Sequence, residues 1–247
     1  MGTATRHHQD RAGGTGRTVP SHRRGARGAV SQPEVSPMDY APLLFFAAFP
    51  LIIAAQVYLL VRKMSEPEKM LKPIVGNLSP DKEQIIAGHI AWLNARDMRR
   101  VTSFEFGAIQ TVVFQQHGTQ RFFNILFHQK VSYDMESRFD ETTFLETSTG
   151  GSAGMFPARP KAYKQSFPGM SPEQAWQRHL EAEAYLMRKF GIVWRPLNQP
   201  YEQVLINSLR MSMNYVRSIP FYPFRALYWY LVTRQRFSNR SIQQQFP

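Results

Sequence analysis

Three side chains in the chain could do acid–base chemistry: His128, His179 and Glu183. His179 and Glu183 stand four residues apart in SPEQAWQRHLEAEAYLMRKFG, so a helix over that stretch puts imidazole and carboxylate on one face. An imidazole titrates near neutral pH, and together with a carboxylate it can serve as general acid or base. A zinc helix would need a second histidine four residues from the first, bracketing the glutamate. That order is missing, and His89, His117 and His128 have no metal-like spacing to His179. No metal and no cofactor are therefore expected. The blander reading of these histidines is as separate structural or surface residues, and His89, inside an apolar stripe, reads as a satisfied core histidine.

Arg159 and Lys161 are the candidates for anion binding, in a loop that also carries Tyr163 and Lys164. Just before them, Gly150 to Gly154 could form an anion-cradling nest, but the run lacks the lysine and the strand–loop–helix setting of a phosphate loop. Cysteine is absent, which removes disulfides, thiolate metal sites, iron–sulfur clusters and cysteine nucleophiles.

These residues need elements to position them. Ser79-Pro80 with Asp81 and Glu83 signs a helix start, and Ile85, Ile86, His89, Ile90, Trp92 and Leu93 repeat at helical spacing behind it. Ser171-Pro172-Glu173-Gln174 repeats the signature, with a capping box, Ala175, Trp176, His179, Ala182, Leu186 and Phe190 as the apolar side, and Gly191 as the stop. Between them, residues 101–149 are rich in Val, Thr, Phe and Tyr and alternate in places. His117-Gly118 marks a tight turn between strands over 108–116 and 119–128, and 142–148 follows as a further strand. The expectation is an antiparallel meander of three to five strands covered by amphipathic helices, an α+β fold.

The front of the chain sets the remaining expectations. Residues 41–61, APLLFFAAFPLIIAAQVYLLV, carry no charge and only Gln56 as a strongly polar side chain, a length and composition that read as one transmembrane helix with Pro50 as a tolerated kink. Arg62, Lys63, Lys69 and Lys72 follow it, which would orient the N-terminus out and the rest on the cytoplasmic side of the cell membrane. The net charge of +12 divides unevenly. Residues 1–37 hold six Arg, no Lys and two acids, and read as a disordered basic tail or as a mis-assigned start ahead of Met38. The last stretch carries six Arg against Glu202, with Arg225, Tyr228, Trp229, Arg234 and Arg236 in an aromatic segment that reads as a helix lying on an anionic leaflet.

The organisation expected is thus a tail over 1–37, an anchor over 38–63, a linker over 64–79, an α+β domain over 80–199 and an amphipathic region over 200–247. Its partners would be the lipid bilayer and a membrane protein; without the tail, no basic–aromatic stripe for nucleic acid remains. The function expected is a single-pass interaction or scaffold module. The alternative is a membrane-associated enzyme acting on a lipid or lipid-linked substrate, with His128, His179 and Glu183 as its acid–base residues.

Overall fold

The computed structural model describes residues 41–150, 154 and 156–247, with the side chains of the first helix described from Ala48 onward. The expected 1–37 tail and Gly151 to Ala153 of the glycine run lie outside the described residues. Helices α1 (Ala41–Met64) and α2 (Pro67–Met70) lead into strand β1 (Leu71–Pro73) and helix α3 (Pro80–Asn94). Strands β2 (Met98–Phe106), β3 (Ile109–Gln116), β4 (Arg121–Phe127), β5 (Val131–Arg138), β6 (Phe144–Ser148) and β7 (Ala162–Ser166) follow. Helices α4 (Pro172–Phe190), α5 (Tyr201–Ser218), α6 (Tyr222–Tyr228), α7 (Arg234–Phe237) and α8 (Ile242–Gln245) complete the chain, with a π-helical turn over Trp229–Thr233 between α6 and α7.

All seven strands form one sheet in sequence order, every neighbouring pair antiparallel except β6 and β7, which run parallel. The parallel pair needs the long connection between Ser148 and Ala162, because a tight hairpin can only reverse the chain. The expected turn at Gly118 is there, with φ of 67°, a left-handed conformation that glycine adopts without a Cβ penalty. The meander expected over 101–149 comprises β2 to β6, and the sheet is widened at its two edges by β1 and β7.

Strand alternation gives the sheet two dissimilar faces. One face carries Val112, Phe114, Phe123, Ile125, Phe127 and Met135, packed under Ile86 and Leu93 of α3 and Ala175 and Trp176 of α4. The helix-start signatures act only in part as the sequence implies, with one of the two capping-box bonds made at Ser171 and no side-chain cap at Ser79. Ser171 accepts a bond from the Gln174 backbone N at 3.3 Å, and α4 ends at Gly191 with φ of 63°. Ser79 makes no side-chain cap; Glu83 instead reaches back to accept from the Leu78 N at 3.3 Å. The other face carries Phe104, Val113 and Phe122 under Tyr201 and Leu205 of α5.

The transmembrane helix expected over 41–61 is overturned. Among the described residues no helix is long and apolar enough to cross a membrane. Helix α1 exists, but Pro50 lies within it, and Ala54, Val61 and Met64 are buried. Val61 and Met64 pack against Met213 and Val216 of α5 and Ala226 of α6. One side of the run, with Val57, Leu60 and Val61, thus packs on the fold's own helices while Phe49, Leu51, Ile52, Tyr58 and Leu59 are exposed, a division that hydropathy alone does not show. With the span go the readings that rested on it: the single-pass topology, the placement at the cell membrane with the N-terminus out, the bilayer and membrane-protein partners, the anchored scaffold module and the enzyme of lipid or lipid-linked substrates.

Of the residues expected to lie on a leaflet, Arg225 and Tyr228 stand in α6, Trp229 in the π-helical turn, and Arg234 and Arg236 in α7. Ala226 is the buried residue of α6, and Tyr222 stacks on Tyr58 of α1 with ring centroids 6.3 Å apart. Trp229 stacks on Phe237 at 5.2 Å, and Arg234 lies 4.1 Å from the Tyr230 ring centroid. Arg225, Tyr228 and Arg236 are exposed.

Candidate functional site

His179 and Glu183 do share a face of α4, and the structure brings them against the sheet, inside the protein. His179 is fully buried and Glu183 nearly so. Their partners determine every proton between them. Ser137 Oγ on β5 donates to Glu183 Oε2 at 2.6 Å, which uses its one hydrogen, so the 2.8 Å contact with His179 Nε2 requires the ring to donate. His179 Nδ1 is then the acceptor for the Thr147 hydroxyl at 2.9 Å, and Thr147 Oγ1 in turn accepts from Gln165 Nε2 at 2.8 Å. Gln165 Oε1 accepts from the backbone N of Ile242 at 3.0 Å, tying α8 to the chain of bonds. At the other end Arg121 grips Glu183 with two bonds, Nε at 2.9 Å and Nη2 at 2.6 Å.

The electrostatics agree with that assignment. Desolvation lowers the His179 pKa to about 4, opposed by the Glu183 charge and reinforced by Arg121, so the ring is neutral at pH 7. Burial pushes Glu183 up, but the hydrogen bonds from Arg121 and Ser137 outweigh it and hold the carboxyl below its ordinary range. This is a structural relay. Ser137, Thr147 and both ring nitrogens are buried and already bonded within the chain, which leaves none of them a bond to offer a bound molecule.

His128 takes no part in it. It is exposed in the turn after β4, beside a shallow hollow lined by Lys82, Glu105, Gln110 and Phe127. Arg159 and Lys161 also separate: Lys161 is exposed with φ of 66°, whereas Arg159 is buried. His89, partly buried, meets the Tyr133 hydroxyl at 2.9 Å. Among the described residues no group of three His, Cys, Asp or Glu side chains could hold a metal ion.

The site that sequence reasoning missed lies on the opposite face, where α5 roofs the sheet over a cavity of about 260 Å³. One end of its lining is apolar, with Phe104, Phe106, Leu126 and Leu205; the other is ionic, with Asp134, Glu136, Arg138, Glu146 and Lys164. Strand period explains the grouping. Asp134, Glu136 and Arg138 alternate along β5, and register sets Asn124 opposite Asp134, Glu146 opposite Glu136 and Lys164 opposite Glu146.

Most of these groups are matched. Lys164 pairs with Glu146 at 2.7 Å, and Arg138 pairs with Glu136. Tyr201 donates to Glu136 Oε2 at 2.9 Å and accepts from Asn124 Nδ2 at 3.2 Å. Burial, with the Glu136 charge beside it, raises the Tyr201 pKa well above 10, so the phenol keeps its proton. Two acceptors on the cavity wall are left over: Asp134 Oδ1 and Asn124 Oδ1, both out of contact with solvent and both without a donor. Desolvation and the Glu146 charge raise the Asp134 pKa to about 7, against the opposing pull of Ser148 and Lys164.

The signal for this site was present in VSYDMESR, whose alternate residues are charged, but alternation alone assigns such residues to a solvent face. Only the arrival of α5, more than sixty residues later, turns that face inward. Comparison with family models, with curated proteins and with solved structures gives no match.

Proposed function

We propose that the chain is a binding module for a small amphiphilic molecule with a hydrogen-bond-donating, cationic head, an alkylamine in its simplest form. The observation that carries the reading is the pair of unsatisfied acceptors, Asp134 Oδ1 and Asn124 Oδ1, on residues opposite each other in the β4–β5 register that both line the cavity. Buried acceptors without donors are costly, and a ligand ammonium would supply both missing bonds. The tail would lie along Phe104, Phe106, Leu126 and Leu205. The volume of about 260 Å³ sits just below the range of roughly 300–1,000 Å³ typical of small-molecule sites, which favours a compact ligand.

The test uses hexylamine against hexanoate, followed by calorimetry on the full chain. An ammonium needs Asp134 ionised, and with a pKa of about 7 that fraction rises about tenfold between pH 6 and pH 8. Hexylamine should therefore bind about tenfold more tightly at pH 8, and Asp134→Asn should remove both the tighter binding and its pH dependence. Equal binding of hexanoate, or an unchanged pH dependence in the Asn variant, would overturn the reading.

A further inference from the structure

At the end of the same sheet face, around the ring of Phe144, three cations gather: Arg138 at 4.7 Å from the ring centroid, Arg159 at 5.4 Å and Lys164 at 5.6 Å. Lys164 is matched by Glu146 and Arg138 by Glu136. Arg159 has no carboxylate of its own. The Asp140 carboxylate attracts Arg159 without bonding to it, and its Oδ1 is held by its own turn, accepting from the Thr142 N, the Thr142 hydroxyl and the Thr143 N at 2.7, 2.9 and 2.7 Å. Arg159 is thus a buried guanidinium with no carboxylate in hydrogen-bonding contact among the described residues: Arg138 is 2% exposed and Arg159 8%.

The unpaired atoms say what is missing. Arg159 donates Nη1 to the Pro160 carbonyl at 3.1 Å, and its Nε and Nη2 have no partner. Those two nitrogens form one straight edge of the guanidinium, the edge that meets a carboxylate or phosphate with two parallel hydrogen bonds. On Arg138 the ion pair uses Nη2, and Nε and Nη1 are unpartnered. A guanidinium cannot escape by losing its proton, so a buried one needs an anion or a set of acceptors.

We infer that Arg138 and Arg159, set about the Phe144 ring, form a binding site for a small oxyanion, a carboxylate or a phosphate. Desolvation and the Arg138 charge lower the Arg159 pKa, against the pull of Asp140, as expected of two guanidiniums held close together in the interior. Lys161, exposed two residues further on, adds positive charge outside the site without lining it. This inference does not rest on the amine reading: Arg138 also lines that cavity, but here the chain supplies donors where Asp134 and Asn124 supply acceptors, and the ligand charge is opposite.

Thermal unfolding of the full chain at pH 7 tests it, with sodium phosphate and sodium acetate each compared with sodium chloride at equal ionic strength. An oxyanion that binds only the folded state should raise the midpoint by about 3 °C or more over chloride. The salt with the larger shift identifies phosphate or carboxylate as the ligand chemistry. Arg159→Gln should abolish the increment, and Arg159→Lys, which keeps the charge but loses the edge, should retain less than half of it. Asp134→Asn should leave it intact, which separates failure here from failure of the amine reading. The inference is overturned if both oxyanions match chloride in the wild-type chain, or if Arg159→Gln or Arg159→Lys keeps the full increment. Should the Gln variant not fold, the Lys variant alone decides.

Discussion

The relay beneath α4 and the ionic cluster beneath α5 treat buried polar groups in opposite ways. Beneath α4, the relay from Arg121 through Glu183, Ser137, His179, Thr147 and Gln165 to the Ile242 backbone gives each hydroxyl and ring nitrogen a partner of the right kind. Beneath α5, ion pairs of similar closeness coexist with acceptors and donors left open at Asn124, Asp134, Arg138 and Arg159. A satisfied network fixes one arrangement of the elements it joins, and its members have nothing left to offer a ligand. An unsatisfied one costs stability and keeps hydrogen-bonding capacity for something outside the chain. The face that looks catalytic by residue type, with Ser, His and Glu in contact, is the structural one.

The largest test breaks the satisfied face. Glu183→Ala strips the carboxylate from Arg121 and Ser137, and leaves the half-buried guanidinium without its partner. Removing one member of a buried ion pair costs about 3–5 kcal/mol. Because Arg121 retains some solvent contact, the loss should fall near the lower figure, read from urea unfolding of the variant against the wild-type chain. A loss below about 1 kcal/mol would show that the relay does not hold the elements together.

A test of similar size is written in pH. His179 has its pKa lowered from 6.5 to about 4 on folding, so between those values the unfolded chain binds more protons than the folded one. Stability from this group is therefore fully present above pH 6.5 and lost progressively as the pH falls towards 4, by roughly 3 kcal/mol. His179→Gln should flatten that part of the profile, whatever it does to stability at pH 7. Chemical unfolding at half-unit steps from pH 4 to pH 7 reads the slope directly.

How much of this was legible in the sequence follows from the range of the physics involved. Local signals read well: the caps at Ser171 and Gly191, the Gly118 turn and the strand alternation each depend on a few neighbouring residues. The proximity of His179 to Glu183 was legible for the same reason. What was not legible depended on which element covers which face. The apolar run at 41–61 reads as a span until the burial of Val61 and Met64 against α5 and α6 is seen, because hydrophobicity does not state its partner. Asp134, Glu136 and Arg138 read as a solvated edge until α5 folds over them. Arg159 was singled out as an anion ligand, but its neighbour in the site is Arg138, twenty-one residues earlier, instead of Lys161.

The finest test asks whether the open face bears the cost that its unsatisfied groups imply. The Asp134 pKa rises from 3.8 to about 7 on folding, so between those values the folded chain holds a proton that the unfolded chain has lost. The sign is opposite to that of His179: this group's contribution falls as pH rises through the window, and above pH 7 an ionised carboxylate sits beside Glu146 with one oxygen unpaired. Asp134→Asn removes that charge and supplies an amide that can donate towards Asn124 Oδ1 across the strand pair. At pH 8 the variant should be more stable than the wild-type chain, and the difference should shrink steadily as the pH falls towards 4 and the wild-type carboxyl takes up its proton. Urea unfolding at the two pH values separates this from a general packing effect, which would be the same at both. A protein gains nothing in stability from carrying Asp at such a position. A gain on its removal, coupled to loss of amine binding, would mark the α5 face as kept for a ligand.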